Sequence, residues 1–260
     1  MEERQALRTP KMRRPFQGLR NVFLFNWPYY ALGAGTLIVL VGANQIFHWP
    51  GNTITAVLLT PVILFVAISL LVTFYVYDIS GLYKMRWLET ISTTEPRRVV
   101  NLTAGFDETS AILADRFANC ELRVFDFFDQ KRHTEPSIYR ARAAYPQFPG
   151  TQIISTSSIP IESGTADLIV AFLSAHEIRE QSERVLFFKE LRRALSPDGN
   201  VLVVEHLRNA ANFLAYNVGA FHFHSRATWL AAFQAADLEV KGKVKETPFI
   251  TIFTLGKTGN

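Results

Sequence analysis

The chain has a single cysteine, Cys120, among its 260 residues. One thiol excludes an internal disulfide and any zinc site built from several cysteines. Charge is sparse, at 19% of residues. No Asp, Glu, Lys or Arg occurs from 29 to 48 or from 54 to 77. A chargeless run of 24 residues is hard to reconcile with a surface in water. The net charge of +4 is modest. In the second half of the chain the basic residues form no stripe interleaved with aromatics, so a nucleic-acid partner is not expected. The start does not read as a secretory signal, because a long basic leader precedes two apolar spans.

What is present begins with those spans. A hydrocarbon core of ~30 Å needs roughly 20 helical residues, and both runs are long enough. Trp27, Tyr29, Tyr30 and Trp49 flank the first, and Tyr75 and Tyr77 close the second, as in an interfacial aromatic belt. Pro50-Gly51-Asn52 makes the turn between them. Residues 27–77 therefore read as a transmembrane helical hairpin, with Pro61 tolerable inside its second helix. Residues 1–26 form a basic tail carrying Arg4, Arg8, Lys11, Arg13, Arg14 and Arg20, suited to anionic lipid headgroups. Lys84, Arg86, Arg97 and Arg98 follow the hairpin, and its loop has no basic residue, so both termini are expected on the cytoplasmic side. Residues 78–96 read as a juxtamembrane linker, with Met85, Trp87, Leu88 and Ile91 at helical spacing for a short helix along the headgroups.

Residues 97–260 alternate strands and helices, the pattern of an α/β domain with a mostly parallel sheet. Strands are expected at 98–103, 121–126, 151–155, 166–172, 200–205, 238–246 and 249–256, the last two as an antiparallel hairpin. Helices are expected at 108–118, 134–144, 178–195, 209–219 and 225–236, with Ser196-Pro197-Asp198-Gly199 as a turn. The stretch from Val99 to Asp126 is a strand, tight turn, helix and strand. Gly105 lets the turn approach a ligand, and Asp126 lies where a carboxylate can bind ribose hydroxyls. Thr103 and Asp107 stand where a dinucleotide fingerprint would place glycines, which argues against a pyrophosphate cofactor.

These features resemble the class I S-adenosylmethionine-dependent methyltransferases from Arg97 to roughly Lys257. Val99-Val100-Asn101-Leu102-Thr103-Ala104-Gly105-Phe106-Asp107 lies along the family's first motif and keeps its middle glycine. Asp126 matches the ribose acid, with Phe127 placed over the adenine. Thr156-Ser157-Ser158-Ile159-Pro160-Ile161 follows the third strand as the family's acid-Leu-Pro-Phe segment does, with Thr156 in place of the acid. Asp167 announces the fourth strand, and Glu190 through Gly199 matches the helix and turn before the fifth. The resemblance implies a Rossmann-like seven-stranded, mostly parallel sheet with a terminal antiparallel hairpin. It implies S-adenosyl-L-methionine as cofactor, held by Asn101, Thr103, Gly105, Asp107, Asp126, Phe127, Thr156 and Ser174. Asn101 replaces an acid, and Asp107 with Glu108 is expected to supply the missing negative charge. Asp107 can equally serve as a helix cap.

Ligands of open α/β sheets bind beyond the carboxyl ends of the strands. Five of the six histidines fall there: His133, His176, His206, His222 and His224. Three readings stay open. One of His176, His206 or His222 acts as general base for methylation of a hydroxyl or amine. Alternatively His176, Glu205, His206, His222 and His224 bind a metal, although no compact His-x-x-x-His motif supports it. Or these residues bind a polar headgroup or cap helices. Arg179, Glu205, Arg208, Tyr216 and His224 are the candidate substrate contacts. Arg179, Arg184, Arg192 and Arg193, with Glu177, Glu180, Glu183 and Glu190, read as a solvated helix face, with Arg179 nearest the cleft. The expected activity is methyl transfer to a membrane-associated small molecule: a lipid headgroup, a quinone-like phenol or a lipid-linked intermediate. The rivals are a non-catalytic membrane scaffold of the same fold and a metal-dependent enzyme.

Overall fold

The computed structural model describes residues 13–47, 52–90, 95–133 and 135–259. Arg4, Arg8, Lys11, His48, Trp49, Pro50 and Gly51 lie outside them, as does Ile91, while Asn52 of the expected turn is helical. Helix α1 (Gln17–Phe25) precedes two long apolar helices, α2 (Trp27–Phe47) and α3 (Asn52–Phe74). With 21 and 23 residues, they extend about 31 and 34 Å at ~1.5 Å per residue. The apolar windows they contain are almost wholly uncovered by protein. Both helices are therefore long and apolar enough to cross a membrane.

The expected tail is not wholly a tail. Its described part forms α1, whose first turn is capped from a distant point in the chain. Asp78 accepts the Gly18 and Leu19 backbone N–H groups at 2.8 Å each, satisfying donors that a helix start leaves unpaired. A Cβ at Gly18 would stand 2.3 Å from Tyr77 Cβ, so glycine is what permits this approach.

The sheet has seven strands in the order β3-β2-β1-β4-β5-β7-β6. They are β1 (Arg98–Thr103), β2 (Glu121–Asp126), β3 (Gln152–Ile153), β4 (Ala166–Phe172), β5 (Leu195–His206), β6 (Leu238–Lys245) and β7 (Ile250–Lys257). β7 runs antiparallel to the other six strands. The expected strand at 151–155 is just two residues long. The expected turn at Ser196–Gly199 is instead a bulge within β5, where the pairing jumps from Ala166↔Leu195 to Leu168↔Asn200. Helices α4 (Ser110–Arg116), α5 (Pro136–Ala144), α6 (Gln181–Ala194), α7 (Ala210–Tyr216) and α8 (Arg226–Ala235) connect the strands.

Side chains alternate across a strand, and the sheet has a core on each face. Val100, Leu102, Ile169 and Ala171 pack with Phe187, Phe188, Trp229 and Phe233 on one face. Val99, Leu168, Val170, Leu202 and Ile252 form the other with Val76, Leu82, Met85, Trp87 and Leu88. The segment expected to lie along headgroups is thus part of the protein core. It folds as short turns of π and 3-10 helix over Tyr75–Ile79, Leu82–Lys84 and Arg86–Thr90, with Met85 fully buried.

Candidate cofactor and acceptor site

The parallel register sets Thr103 beside Asp126 at the carboxyl ends of β1 and β2. The chain then turns at Gly105 with φ +85°. There the Gly105 N–H donates to Asp126 Oδ1 at 2.8 Å, and the Phe128 N–H joins it at 3.0 Å. Asp126 Oδ2 accepts from Arg142 Nη1 at 2.5 Å and from Gln147 Nε2 at 2.8 Å. Neither partner is evident from the sequence, because both arrive from beyond β2. A pocket bounded by Thr103, Gly105, Asp107, Asp126, Tyr145, Gln147 and Phe148 has about 10 Å³ of free space, enough for about one water. A nucleoside enters only if the 145–148 segment and Arg142 move.

Asp107 has both roles that the sequence allowed. Its Oδ1 caps α4, accepting the Thr109 and Ser110 N–H groups at 2.8 and 2.9 Å. Its Oδ2 is buried with no hydrogen-bond partner, and the residue lines the pocket. A buried carboxylate oxygen without a donor suits a cationic ammonium. Glu108 corrects the expectation made for it. It faces away from the pocket and accepts from Arg13 (3.0 Å), Gln17 (3.0 Å), Asn21 (3.0 Å) and Tyr83 (2.7 Å). It is the junction between α1, the buried linker and the first turn.

The other expected cofactor residues are less direct. Asn101 is buried, and its Nδ2 donates to Thr109 and Ser110 Oγ atoms at 2.9 and 2.7 Å. It braces the start of α4. Thr103 Oγ1 donates to the Phe125 carbonyl at 3.3 Å, and Ser174 Oγ to the Leu102 carbonyl at 2.8 Å. Thr156 Oγ1 donates to Glu183 at 2.7 Å. Phe127 is buried against Phe187, with ring centroids 5.0 Å apart, so it is a core side chain.

A Cβ at Gly105 would meet Ile138 Cγ2 at 2.8 Å, on a backbone that L side chains rarely adopt. Gly105→Ala is expected to cost about 1–3 kcal/mol of stability. Thermal unfolding checks it, and adding Ile138→Ala should recover the steric part but not the backbone part.

The second half of the site lies beyond β4 and β5. The 3-10 turn Ala175–Glu177 follows β4, and Glu205 sits near the end of β5. His176 Nδ1 is 2.7 Å from Glu205, and its backbone N–H donates to the other Glu205 oxygen at 3.1 Å. His176 Nε2 is 3.3 Å from Glu177. A second 3-10 stretch, Asn217–His222, brings His222 Nε2 within 3.2 Å of the same Glu177 oxygen and Nδ1 within 3.3 Å of Glu135. Burial works against a charge on His176, but Glu205 first and then Glu177 outweigh it and raise its pKa to about 10. Burial also opposes the Glu177 charge, yet His176 and His222 hold that carboxyl well below its usual range. Burial lowers the pKa of His222.

None of the three candidate bases offers an unengaged ring nitrogen. Both nitrogens of His176 and of His222 face carboxylates. His206 is a correction of a different kind. Its Nδ1 lies 3.1 Å from Asn212 Oδ1, and Asn212 Nδ2 donates to the Leu207 and Phe249 carbonyls. That fixes the amide, so His206 Nδ1–H is the donor and Nε2 accepts from Tyr77 OH at 2.8 Å. His206 is a buried tie between the foot of the apolar hairpin and β5.

Among the substrate candidates, Glu205 is fully buried under His176. Arg179 is exposed and holds the His222 carbonyl and ring. His224 contacts Arg184 Nη1 at 3.0 Å, and burial followed by the Arg184 charge lowers its pKa to about 3. Tyr216 packs edge-on to His206 and Phe223. Arg208 is exposed, and its backbone N–H donates to the His224 carbonyl at 2.9 Å. Arg184 does not lie on a solvated face. It is buried and donates to the Ile178 carbonyl at 2.8 Å. Glu177, expected on a solvated helix face, is instead buried on the 3-10 turn, and Glu135 was given no role from the sequence. Their acidity next to histidines after β2 and β4 was the available signal.

His206 carries a pH prediction. Burial, partly offset by Asn212, lowers its folded pKa to about 3, against ~6.5 unfolded. Between about pH 6.5 and pH 3 the unfolded chain binds a proton that the folded chain refuses, so stability falls as pH falls through that window. In His206→Gln, the decline of melting temperature from pH 7 to pH 4 should be shallower than in the wild type.

Residues 104–203 match the family model described as a methyltransferase domain. Over those residues the chain is similar to a methyltransferase domain. No curated protein matches the sequence. The domain's fold is similar to that of an S-adenosylmethionine-dependent methyltransferase from Aquifex aeolicus, at 15% identity and TM-score 0.51 over 68% of this chain and 93% of that one. It is also similar to a protein of Pyrococcus horikoshii OT3, at 14% identity and TM-score 0.52 over 70% and 91%. Geranyl diphosphate C-methyltransferase from Streptomyces coelicolor A3(2) aligns at 11% identity and TM-score 0.50 over 69% and 79%. At these identities the structural likenesses speak for the fold. In that fold Gly105, Asp126 and the unpaired Asp107 oxygen meet at the carboxyl ends of β1 and β2.

Proposed function

We propose that the methyltransferase domain is held at a membrane by the α2–α3 hairpin and methylates an acceptor resident in the bilayer. The hydrogen bond from Tyr77 to His206 carries this reading. It joins the foot of the apolar hairpin to the carboxyl end of β5, beside the half of the cleft where the acceptor is received. An acceptor moving in the bilayer then meets the cleft at high effective concentration. The acceptor class is a lipid headgroup, a quinone-like phenol or a lipid-linked intermediate. Asp126 binds the ribose, Asp107 Oδ2 binds the cofactor's ammonium, and the nucleophilic atom of the acceptor is directed to the His176–Glu177–His222 cluster. Arg179, at the cluster's exposed rim, meets an anionic group of the acceptor. Lys84, Arg86, Arg97 and Arg98 support a cytoplasmic placement of the domain.

The test is methyl-labelled cofactor offered to full-length protein in nanodiscs made from a total lipid extract, with a pool of water-soluble metabolites as the comparison. Label in the organic phase supports the reading. Label only in the aqueous pool overturns it. The full chain is required, because a fragment starting near Glu89 would lack Val76, Leu82, Met85, Trp87 and Leu88 and expose one face of the sheet.

A further inference from the structure

Glu177 is the meeting point of two imidazoles that approach it in the same way. The His176 and His222 rings stand 5.0 Å apart at 76°. Each directs Nε2 to one Glu177 oxygen, at 3.3 and 3.2 Å. Each directs Nδ1 to a further carboxylate, Glu205 at 2.7 Å and Glu135 at 3.3 Å. A neutral imidazole has one N–H, yet all four ring nitrogens here face carboxylates. Satisfying all four by hydrogen bonds takes a second proton on each ring, and a metal on the two Nε2 atoms takes the place of both.

We propose that His176 Nε2, Glu177 and His222 Nε2 form a binding site for one divalent transition-metal ion, with Glu205 and Glu135 orienting the two imidazoles. The three ligand atoms lie within 4.8 Å of one another. Bonds of ~2.0–2.2 Å arranged tetrahedrally set ligand atoms about 3.3 Å apart, the spacing found on both histidine–Glu177 edges. Two histidines and one carboxylate suit zinc or ferrous iron and leave positions open for an exogenous ligand. The carboxylate on each Nδ1 is the outer partner that a metal-bound histidine needs to fix its tautomer. Cys120, the one thiol, lies elsewhere, between α4 and β2, so all donors are nitrogen or oxygen.

The charge count points the same way. Glu135, Glu177 and Glu205 bring three negative charges, two of them on buried side chains. A divalent ion with Arg179 would balance them while both histidines stay neutral. Arg179 also marks what must move. Its Nη2 lies 2.8 Å from His222 Nε2 and touches Nδ1 as well. Being exposed, the guanidinium can swing away and keep a place at the rim. Through its open positions, a metal here would hold an acceptor oxygen as a Lewis acid. The site itself is defined without reference to the acceptor.

The experiment uses full-length protein in detergent, purified without a histidine tag and stripped with a chelator. Zinc(II) is titrated by calorimetry, and bound metal per chain is counted by emission spectroscopy. Cobalt(II) is added separately to read its visible spectrum. The expected result is one zinc per chain and cobalt bands that disappear in His176→Ala and His222→Ala. Glu205→Gln should keep the stoichiometry and weaken affinity by roughly 10–100-fold. His222 lies on a 3-10 turn with 23% of its side chain exposed, so its replacement should leave the fold intact. Zinc should raise the melting temperature of the wild type and not of His222→Ala. His133→Ala, outside the cluster, should bind as the wild type does. No stoichiometric metal in the wild type, or unchanged affinity in both histidine variants, overturns the proposal. S-adenosylhomocysteine binding is measured on the same samples. Protein that binds this product but no metal overturns the metal site and leaves the methyl-transfer reading standing.

Discussion

Asp126→Asn is expected to weaken binding of S-adenosylhomocysteine by about 100-fold or more, while Arg142→Ala strengthens it. Two ribose hydroxyls donating to a carboxylate contribute ~1.5–3 kcal/mol each, and each ~1.4 kcal/mol is tenfold in affinity. Asparagine keeps an oxygen for the Gly105 and Phe128 N–H groups, so the turn should survive. What it loses is the second acceptor oxygen, now held by Arg142 and Gln147. Those two side chains satisfy the carboxylate in the cofactor's place. Affinity is therefore reduced by the fraction of molecules in which they hold it. Removing Arg142 raises the competent fraction. Calorimetric titration of both variants checks the pair of opposite signs. Equal affinity in Asp126→Asn and wild type would remove Asp126 from the cofactor site.

Glu108→Ala should be the most destabilising single change outside the two cores. Its carboxylate holds Arg13, Gln17, Asn21 and Tyr83, with only 9% of the side chain exposed. Removing one partner of a buried pair leaves the other charge unpaired, at a cost of about 3–5 kcal/mol. Arg13 also lies over the Tyr83 ring, 3.5 Å from its centroid. The consequence reaches the cofactor pocket. Asn21 accepts from Tyr145 OH at 2.6 Å, and Phe25 packs edge-on against Phe106 and Tyr145. Freeing α1 should loosen the 145–148 segment. Thermal unfolding measures the cost, and tryptic cleavage at Arg20 reports release of α1. Adding Arg13→Ala to Glu108→Ala should cost little more, because the pair acts as a unit. Additive losses would show that the two do not act together.

The parts legible in the sequence are those that local chemistry decides. Gly105 and Asp126 sit at fixed offsets from one strand, and the parallel register turns that spacing into a 2.8 Å contact. The apolar helices follow from runs without charge, and the terminal hairpin from Thr247-Pro248 between two strands. The destinations of side chains arriving from afar were not legible. Met85, Trp87 and Leu88 have helical spacing, but what decides their fate is a sheet face whose Val99, Leu168 and Val170 are covered by the linker together with Leu113 of α4. Glu108 was assigned to the cofactor by proximity in sequence, whereas four donors on the other side of the turn claimed it. The histidines were correctly placed near the strand ends. His222 nevertheless comes 45 residues after Glu177 and on a 3-10 turn. No periodicity could have shown that it shares an oxygen with His176.

The cap that Asp78 places on α1 has a topological consequence. Residues 18 and 19 lie just before the first apolar helix, and residue 78 lies just after the second. Two backbone hydrogen bonds fasten these points together. A chain so fastened must cross an enclosing bilayer an even number of times between them. The number of crossings and the orientation of the flanks are thus constrained by parity, whatever the charge of the leaflets. The two helices have to enter as a pair or not at all.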